Sequence, residues 1–252
     1  MNNLKWCIDY LKDYNQIKSF FNINDFNTFR LLMNITLPYN LSEEFYLKQD
    51  QIIKEELNKK EIIDVNNLSY HNNIALYKGD ITLLKADVIV NACNEKLLGC
   101  FVPLHHCIDN AIHSYAGLQL RRDLMMIMER QNHDEENGKC KVTKGYNLNV
   151  KYIFHTVGPK INNKITKQDE IDLQNCYLSC LNKLKEMNLI NIVFPCISTG
   201  IYGFDKNKAC EIAYKTVSKF IDKNKDIKVI FNVFDKENYL LYKNKLEKEN
   251  DN

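Results

Sequence analysis

The sequence predicts an α/β fold with a largely parallel central sheet. Three observations lead there. Short apolar, β-branched segments recur at about 74–77, 87–92, 152–157, 191–195 and 229–234, as buried strands should. Helical patterns separate the later ones, at roughly 108–130, 169–187, 205–222 and 236–248, and strands alternating with helices imply a sheet covered on both faces. All eight glycines lie between Gly79 and Gly203, so the special backbone geometry is concentrated in that block, in the loops that follow the strands. Ligands of such sheets sit beyond the carboxyl ends of the strands.

Residues 1–70 read as a helical N-terminal extension and residues 71–252 as the main domain. Leu4, Ile8, Leu11 and Ile17 form one apolar stripe, and Phe29, Leu32 and Met33 a second. Ser42 followed by Glu43 and Glu44 opens a third segment through Leu57, separated from the second by Pro38. The 252 residues suffice for a core without disulfides. An apolar fraction of 45% and a net charge of +2 exclude disorder. The interspersed charges form no nucleic-acid stripe, and no apolar run approaches the ~18–20 residues of a membrane span. With no secretory leader and nine cysteines, an odd number, the expected compartment is the reducing cytoplasm.

Four groups of residues can carry chemistry. Cys100, His105 and Cys107 place two thiols and an imidazole within eight residues of a loop, and His106 could complete a structural site, although adjacent residues rarely both reach one metal. Zinc favours these donors, and three protein ligands leave a fourth position open, as in catalytic sites. The same cysteines also read as small buried hydrophobes. Asp109 stands at a helix start, where a carboxylate is favoured, and His113 lies one turn on and can face the same site; a capping carboxylate with a partly buried histidine is equally consistent. The run Ser198, Thr199, Gly200, Ile201, Tyr202, Gly203, Phe204 leads from a strand to a helix, and its backbone N–H groups can cradle phosphates without a P-loop lysine; a plain tight connection has the same sequence. Asp80, next to Ile81, can accept from an adenine amine, and Asn91 and Asn94 can bind sugar hydroxyls, although Asp and Asn are also common turn residues.

Taken together, the run from Asp87 to Asn94, the helix start from Ile108 to Gly117 and the Ser198–Gly203 loop occur in macrodomain order. The chain resembles that ADP-ribose-binding family, and the 141–148 and 155–159 blocks are similar to it as well. Where most hydrolytic macrodomains carry a glycine-rich stretch, this chain has Gly99-Cys100-Phe101-Val102-Pro103-Leu104-His105-His106-Cys107. That replacement resembles the zinc-dependent macrodomain branch, found in microbes and often associated with a sirtuin-type ADP-ribosyltransferase. The segments 29–34 and 44–50 are similar to the N-terminal region of that branch. The Tyr77-Lys78 pair before Gly79-Asp80 departs from the usual Trp-Gln.

The resemblance implies a three-layer α/β/α macrodomain with a mixed, mostly parallel sheet behind a helical extension. It implies zinc on Cys100, His105 and Cys107, with Asp109, Asn94 and His113 at the catalytic end. Asp80 and Ile81 would hold adenine, Ser198–Phe204 the diphosphate, and Asn91 and Asn94 the distal ribose. The activity implied is removal of ADP-ribose from modified protein side chains, Asp or Glu esters above all. A non-catalytic ADP-ribose reader and an O-acetyl-ADP-ribose deacetylase fit the same residues. The partners implied are ADP-ribosylated protein, ADP-ribose and a sirtuin-type transferase system, with no nucleic acid and no membrane.

Overall fold

The structure is a computed structural model and describes residues 2–18 and 25–248. Residues 1, 19–24 and 249–252, at the edges of the two segments named above, lie outside the described residues. Three helices come first: α1 (Asn3–Tyr14), α2 (Phe26–Ile35) and α3 (Glu43–Asn58). Each has a side-chain N-cap: Asn2, Asp25 and Ser42 accept from Leu4, Thr28 and Phe45 N–H. The helical reading of residues 1–70 is incomplete, because a two-residue strand β1 (Ile63–Asp64) pairs with the start of the central strand.

The remaining strands are β2 (Ile74–Lys78), β3 (Leu84–Cys93), β4 (Lys141–Lys144), β5 (Val150–Val157), β6 (Asn191–Phe194) and β7 (Lys228–Val233). They run in the order β2-β7-β6-β3-β5-β4, all parallel except β4 against β5, with β1 off this path on β3. Strand β4 escaped the strand pattern because Lys141-Val142-Thr143-Lys144 offers one apolar position in four. The helices α4 (Ile108–Ala116), α5 (Leu118–Gln131), α6 (Lys167–Glu186), α7 (Lys206–Ile221) and α8 (Lys236–Lys248) complete the fold. The pattern expected as one helix over 108–130 is two, broken at Gly117, whose φ of +100° no helix accommodates.

Alternation along the strands divides the interior into two faces. Ile89, Ile153, Val193 and Ile230 point to the layer formed by α1–α5. Val88, Val90, Phe154, Ile192, Phe194 and Phe231 point to α6–α8. The N-terminal helices therefore share one core with the sheet: Cys7, Leu11, Phe29, Phe45 and Ile53 belong to the same buried cluster as Ile89 and Ile112. A three-layer α/β/α sandwich results, as expected.

Candidate active site

The chain leaves β3 to one side for β5 and returns on the other for β6, so the carboxyl end of β3 is a switch point of the sheet. A cleft of about 980 Å³ opens there. Gly79, Asp80 and Ile81 line it after β2, Cys93 at the end of β3 and Asn94 just beyond, Ser198–Tyr202 after β6, and Phe234 and Asn238 after β7.

At one end Asp80 caps a short 3₁₀ turn. Its Oδ1 accepts from Thr82 N–H at 2.9 Å and from the Thr82 hydroxyl at 2.6 Å. Beside the cleft middle, the loop after β6 turns at Ser198, a non-glycine residue at φ +64°. Gly203 N–H closes onto Gly200 O and Phe204 N–H onto Ser198 O. The N–H groups of Gly200, Ile201 and Tyr202 and the buried Ser198 hydroxyl have no partner among the described residues. An array of free donors at the edge of a cleft suits an anion with several oxygens.

The other end holds the thiol loop. Cys100 Sγ lies 3.7 Å from His105 Nδ1, and one donor atom each of Cys100, His105 and Cys107 lie within 4.8 Å of one another, the one such group among the described residues. Cys107, not Asp109, caps α4: its Sγ accepts from Asn110 N–H at 3.4 Å. Burial pushes the Cys107 thiol up to about 12. Asp109 sits in the first turn with its carboxylate on the cleft wall, and burial raises its carboxyl to about 6 against the Asn91 hydrogen bond and the Arg121 charge.

Several expected site residues stand elsewhere. Asn91 is fully buried: its amide donates to Asp109 Oδ1 at 2.8 Å and meets His155 Nδ1 at 3.3 Å. It orients Asp109 and does not face the cleft, because inward pointing on β3 places it beneath the carboxylate. His113 is likewise enclosed, its ring packed under Gly99 and 3.5 Å from Asp109. Burial drives its pKa well below the usual histidine value, so the imidazole is neutral and the pair is no salt bridge. Both ring nitrogens lack a hydrogen-bond partner, and His113 cannot reach a ligand in the cleft. Phe204 packs in the core beneath α7, and Gly203 serves the turn at φ +70°; neither lines the cleft. Of the adjacent pair, His105 joins the thiols while His106 lines the cleft. Asn94 does line it, with its amide bonded to Gly99 O and Lys96 N–H.

Sequence reading missed two arginines. Arg121, 1% exposed, donates to the carbonyls of Leu98, Met33, Asn34 and Thr36 at 2.6–3.0 Å and lies over the Phe101 ring. Arg30 on α2 reaches the cleft wall and donates to Ser114 and Asn110. The rarity of arginine, four against thirty lysines, was the signal available: a planar fork is retained where fixed geometry matters.

A helix-covered parallel sheet with a switch-point cleft, free backbone donors at its middle and a carboxylate beside paired thiols at one end defines an α/β ligand-binding domain with a reactive centre. The sequence profile of the Macro domain matches residues 90–213. A protein-ADP-ribose hydrolase of Staphylococcus aureus (strain COL) is 42% identical over 219 residues, covering 85% of this chain and 82% of that protein. The Oceanobacillus iheyensis macrodomain solved with ADP is 34% identical with a TM-score of 0.65, covering 71% of this chain and 92% of that one. A Trypanosoma brucei macrodomain in complex with ADP-ribose gives 0.65 at 29% identity, covering 86% and 94%. The chain belongs to the macrodomain family.

Proposed function

We propose that this protein is a zinc-dependent hydrolase that removes ADP-ribose from modified protein side chains. One observation carries the reading: Cys100, Cys107 and Asp109 open into the same cleft as Asp80 and the free donors of the Gly200–Tyr202 loop. The S. aureus relative is named a protein-ADP-ribose hydrolase, which favours turnover over a reader of the same ligand.

The donor set suits zinc. Donors at ~2.0–2.3 Å from one ion sit roughly 3.5–4 Å apart in a tetrahedron, the separation at which Cys100 and His105 already stand. Three protein donors leave one position open, and Cys107 stands at the amino terminus of α4, where its Sγ accepts from Asn110 N–H. When bound, the ion supplies a Lewis acid for a ribose or ester oxygen and lowers the pKa of water. Asp80 accepts from the adenine amine through the oxygen its own cap leaves free. The Gly200–Tyr202 N–H groups hold the diphosphate, and Asn94 meets the distal ribose. Asp109, fixed by Asn91, orients water or takes its proton. A carboxylate leaves readily, so Asp or Glu esters are the natural substrates. The cytoplasm, where thiols stay reduced, is the proposed compartment, and a sirtuin-type transferase the proposed source of substrate.

Release of labelled ADP-ribose from an auto-modified transferase tests this. The expected result is turnover that a strong zinc chelator abolishes. Cys107→Ala should lose zinc and turnover while retaining ADP-ribose affinity, and Asp109→Ala should lose turnover with zinc retained. Full turnover by the metal-free protein sinks the zinc reading, and tight ADP-ribose binding without turnover leaves a reader.

A further inference from the structure

The α2 helix carries two side chains that neither the metal set nor the cleft chemistry accounts for, and both end on the thiol loop. Asn34, 1% exposed, accepts from Leu104 N–H at 3.0 Å and donates to Ser114 Oγ at 3.1 Å. Arg30 donates to Ser114 Oγ at 3.0 Å, to Asn110 Oδ1 at 2.8 Å and, at 3.4 Å, to the carbonyl of His105. Asn110 carries the connection onward: its amide donates to the carbonyls of Cys100 and Val102 at 3.3 and 3.0 Å, and its N–H caps onto Cys107 Sγ. All three thiol and imidazole donors are thus tied to α2 through one hydrogen-bonded network.

The backbone gives an independent reason for that tie. Leu104, immediately before His105, holds φ at +54°, in the left-handed region that a leucine rarely adopts. A residue stays there only when its surroundings hold it. Asn34 Oδ1 takes the Leu104 N–H, and Arg30 reaches the carbonyl of the following residue, His105, so the turn is held on both sides of the Leu104–His105 peptide.

We infer that Arg30 and Asn34 are positioning residues for the Cys100–His105–Cys107 centre, holding the Leu104 turn that aims His105 at the two thiols. The inference rests on the zinc reading above. Residues that orient metal ligands in this way typically matter ~10–100-fold in metal affinity.

The test uses the full chain and three variants: Asn34→Ala, Arg30→Gln, and Asn34→Ala with Leu104→Asn. Zinc affinity is read by competition with a chromogenic chelator, ADP-ribose affinity by calorimetry, and amide exchange of residues 98–107 by mass spectrometry on metal-free protein. Asn34→Ala should weaken zinc ~10–100-fold and speed exchange in that loop, with ADP-ribose affinity within about twofold. Arg30→Gln should weaken zinc in the same direction. Leu104→Asn supplies a residue that tolerates the left-handed turn, so the double variant should recover at least threefold of the lost zinc affinity. Zinc affinity within twofold of the parent in both single variants overturns the inference, as does a uniform rise in exchange across the chain. Absence of stoichiometric zinc in the parent overturns the metal reading itself and the inference with it, and is distinguished by failing before any substitution is made.

Discussion

Replacing Arg121 by methionine removes a buried cap that joins two distant parts of the chain. Its guanidinium takes buried carbonyls at the carboxyl end of α2, those of Met33, Asn34 and the cap residue Thr36, and the carbonyl of Leu98 at the start of the thiol loop. Helix carboxyl ends leave such carbonyls without partners and favour a positive charge. Burial lowers the Arg121 pKa to about 10, which still leaves it charged at neutral pH. Methionine fills the volume but donates nothing, so four hydrogen bonds to enclosed carbonyls are lost, and among the described residues only the Met33 carbonyl keeps another donor, Thr36 N–H. At a net ~1–1.5 kcal/mol for each, Arg121→Met should cost roughly 4–6 kcal/mol, a large part of the ~5–15 kcal/mol that stabilises a typical domain. Arg121→Lys keeps the charge and up to three donors on one nitrogen, and should cost about half as much. Urea denaturation followed by circular dichroism measures both. A loss below about 1 kcal/mol in Arg121→Met, with an unchanged denaturant slope, would refute the capping role. The site should suffer as well, because the Leu98 carbonyl begins the loop that carries Cys100.

Two further outcomes follow from close contacts. A Cβ at Gly158 would collide with Ser198 Oγ and with the buried Ile197 side chain, so Gly158→Ala forces both side chains to shift at the start of the turn that presents the free N–H groups. ADP-ribose affinity measured by calorimetry should fall at least tenfold, ~1.4 kcal/mol, and an unchanged Kd would separate that turn from binding. His155, buried between Asn91 and Thr143, has its pKa lowered from 6.5 to about 3 by burial. The unfolded chain therefore takes the proton first, and stability that is complete above pH 6.5 is lost as pH falls, at ~1.4 kcal/mol per unit. By pH 4.5 this group should account for about 2–3 kcal/mol, and His155→Gln should flatten the acid limb of the stability curve by that amount; parallel limbs in parent and variant would exclude His155 as the source.

The central strands were legible because they are buried on both faces, which makes them continuous apolar runs such as Val88-Ile89-Val90. Edge strand β4 was not, since one exposed side leaves it mostly polar. The thiol donors were readable from residue type and spacing, and the structure gathers them. Asn91 and His113 show where such reading stops. Both are polar residues next to a reactive loop, yet only the pleat of β3 and the rotation of α4 decide that they point beneath Asp109 and not into the cleft. The roles of Arg30, Asn34 and Arg121 depend on pairings 70 to 88 residues apart, for which one sequence contains no local signal.

Those long separations bear on how the protein is made. A ribosome releases α2 well before α5, yet the carboxyl end of α2 has its donor only once Arg121 has emerged. The carboxyl end of α2 must wait through the whole thiol loop and α4, and contacts so far apart in sequence form late in folding. During that interval Cys100 and Cys107 are reachable by solvent, oxidants and stray metal. Until Arg121 docks, the thiol loop lacks its anchor at Leu98, and a reducing surrounding would keep its two cysteines from oxidising in the meantime.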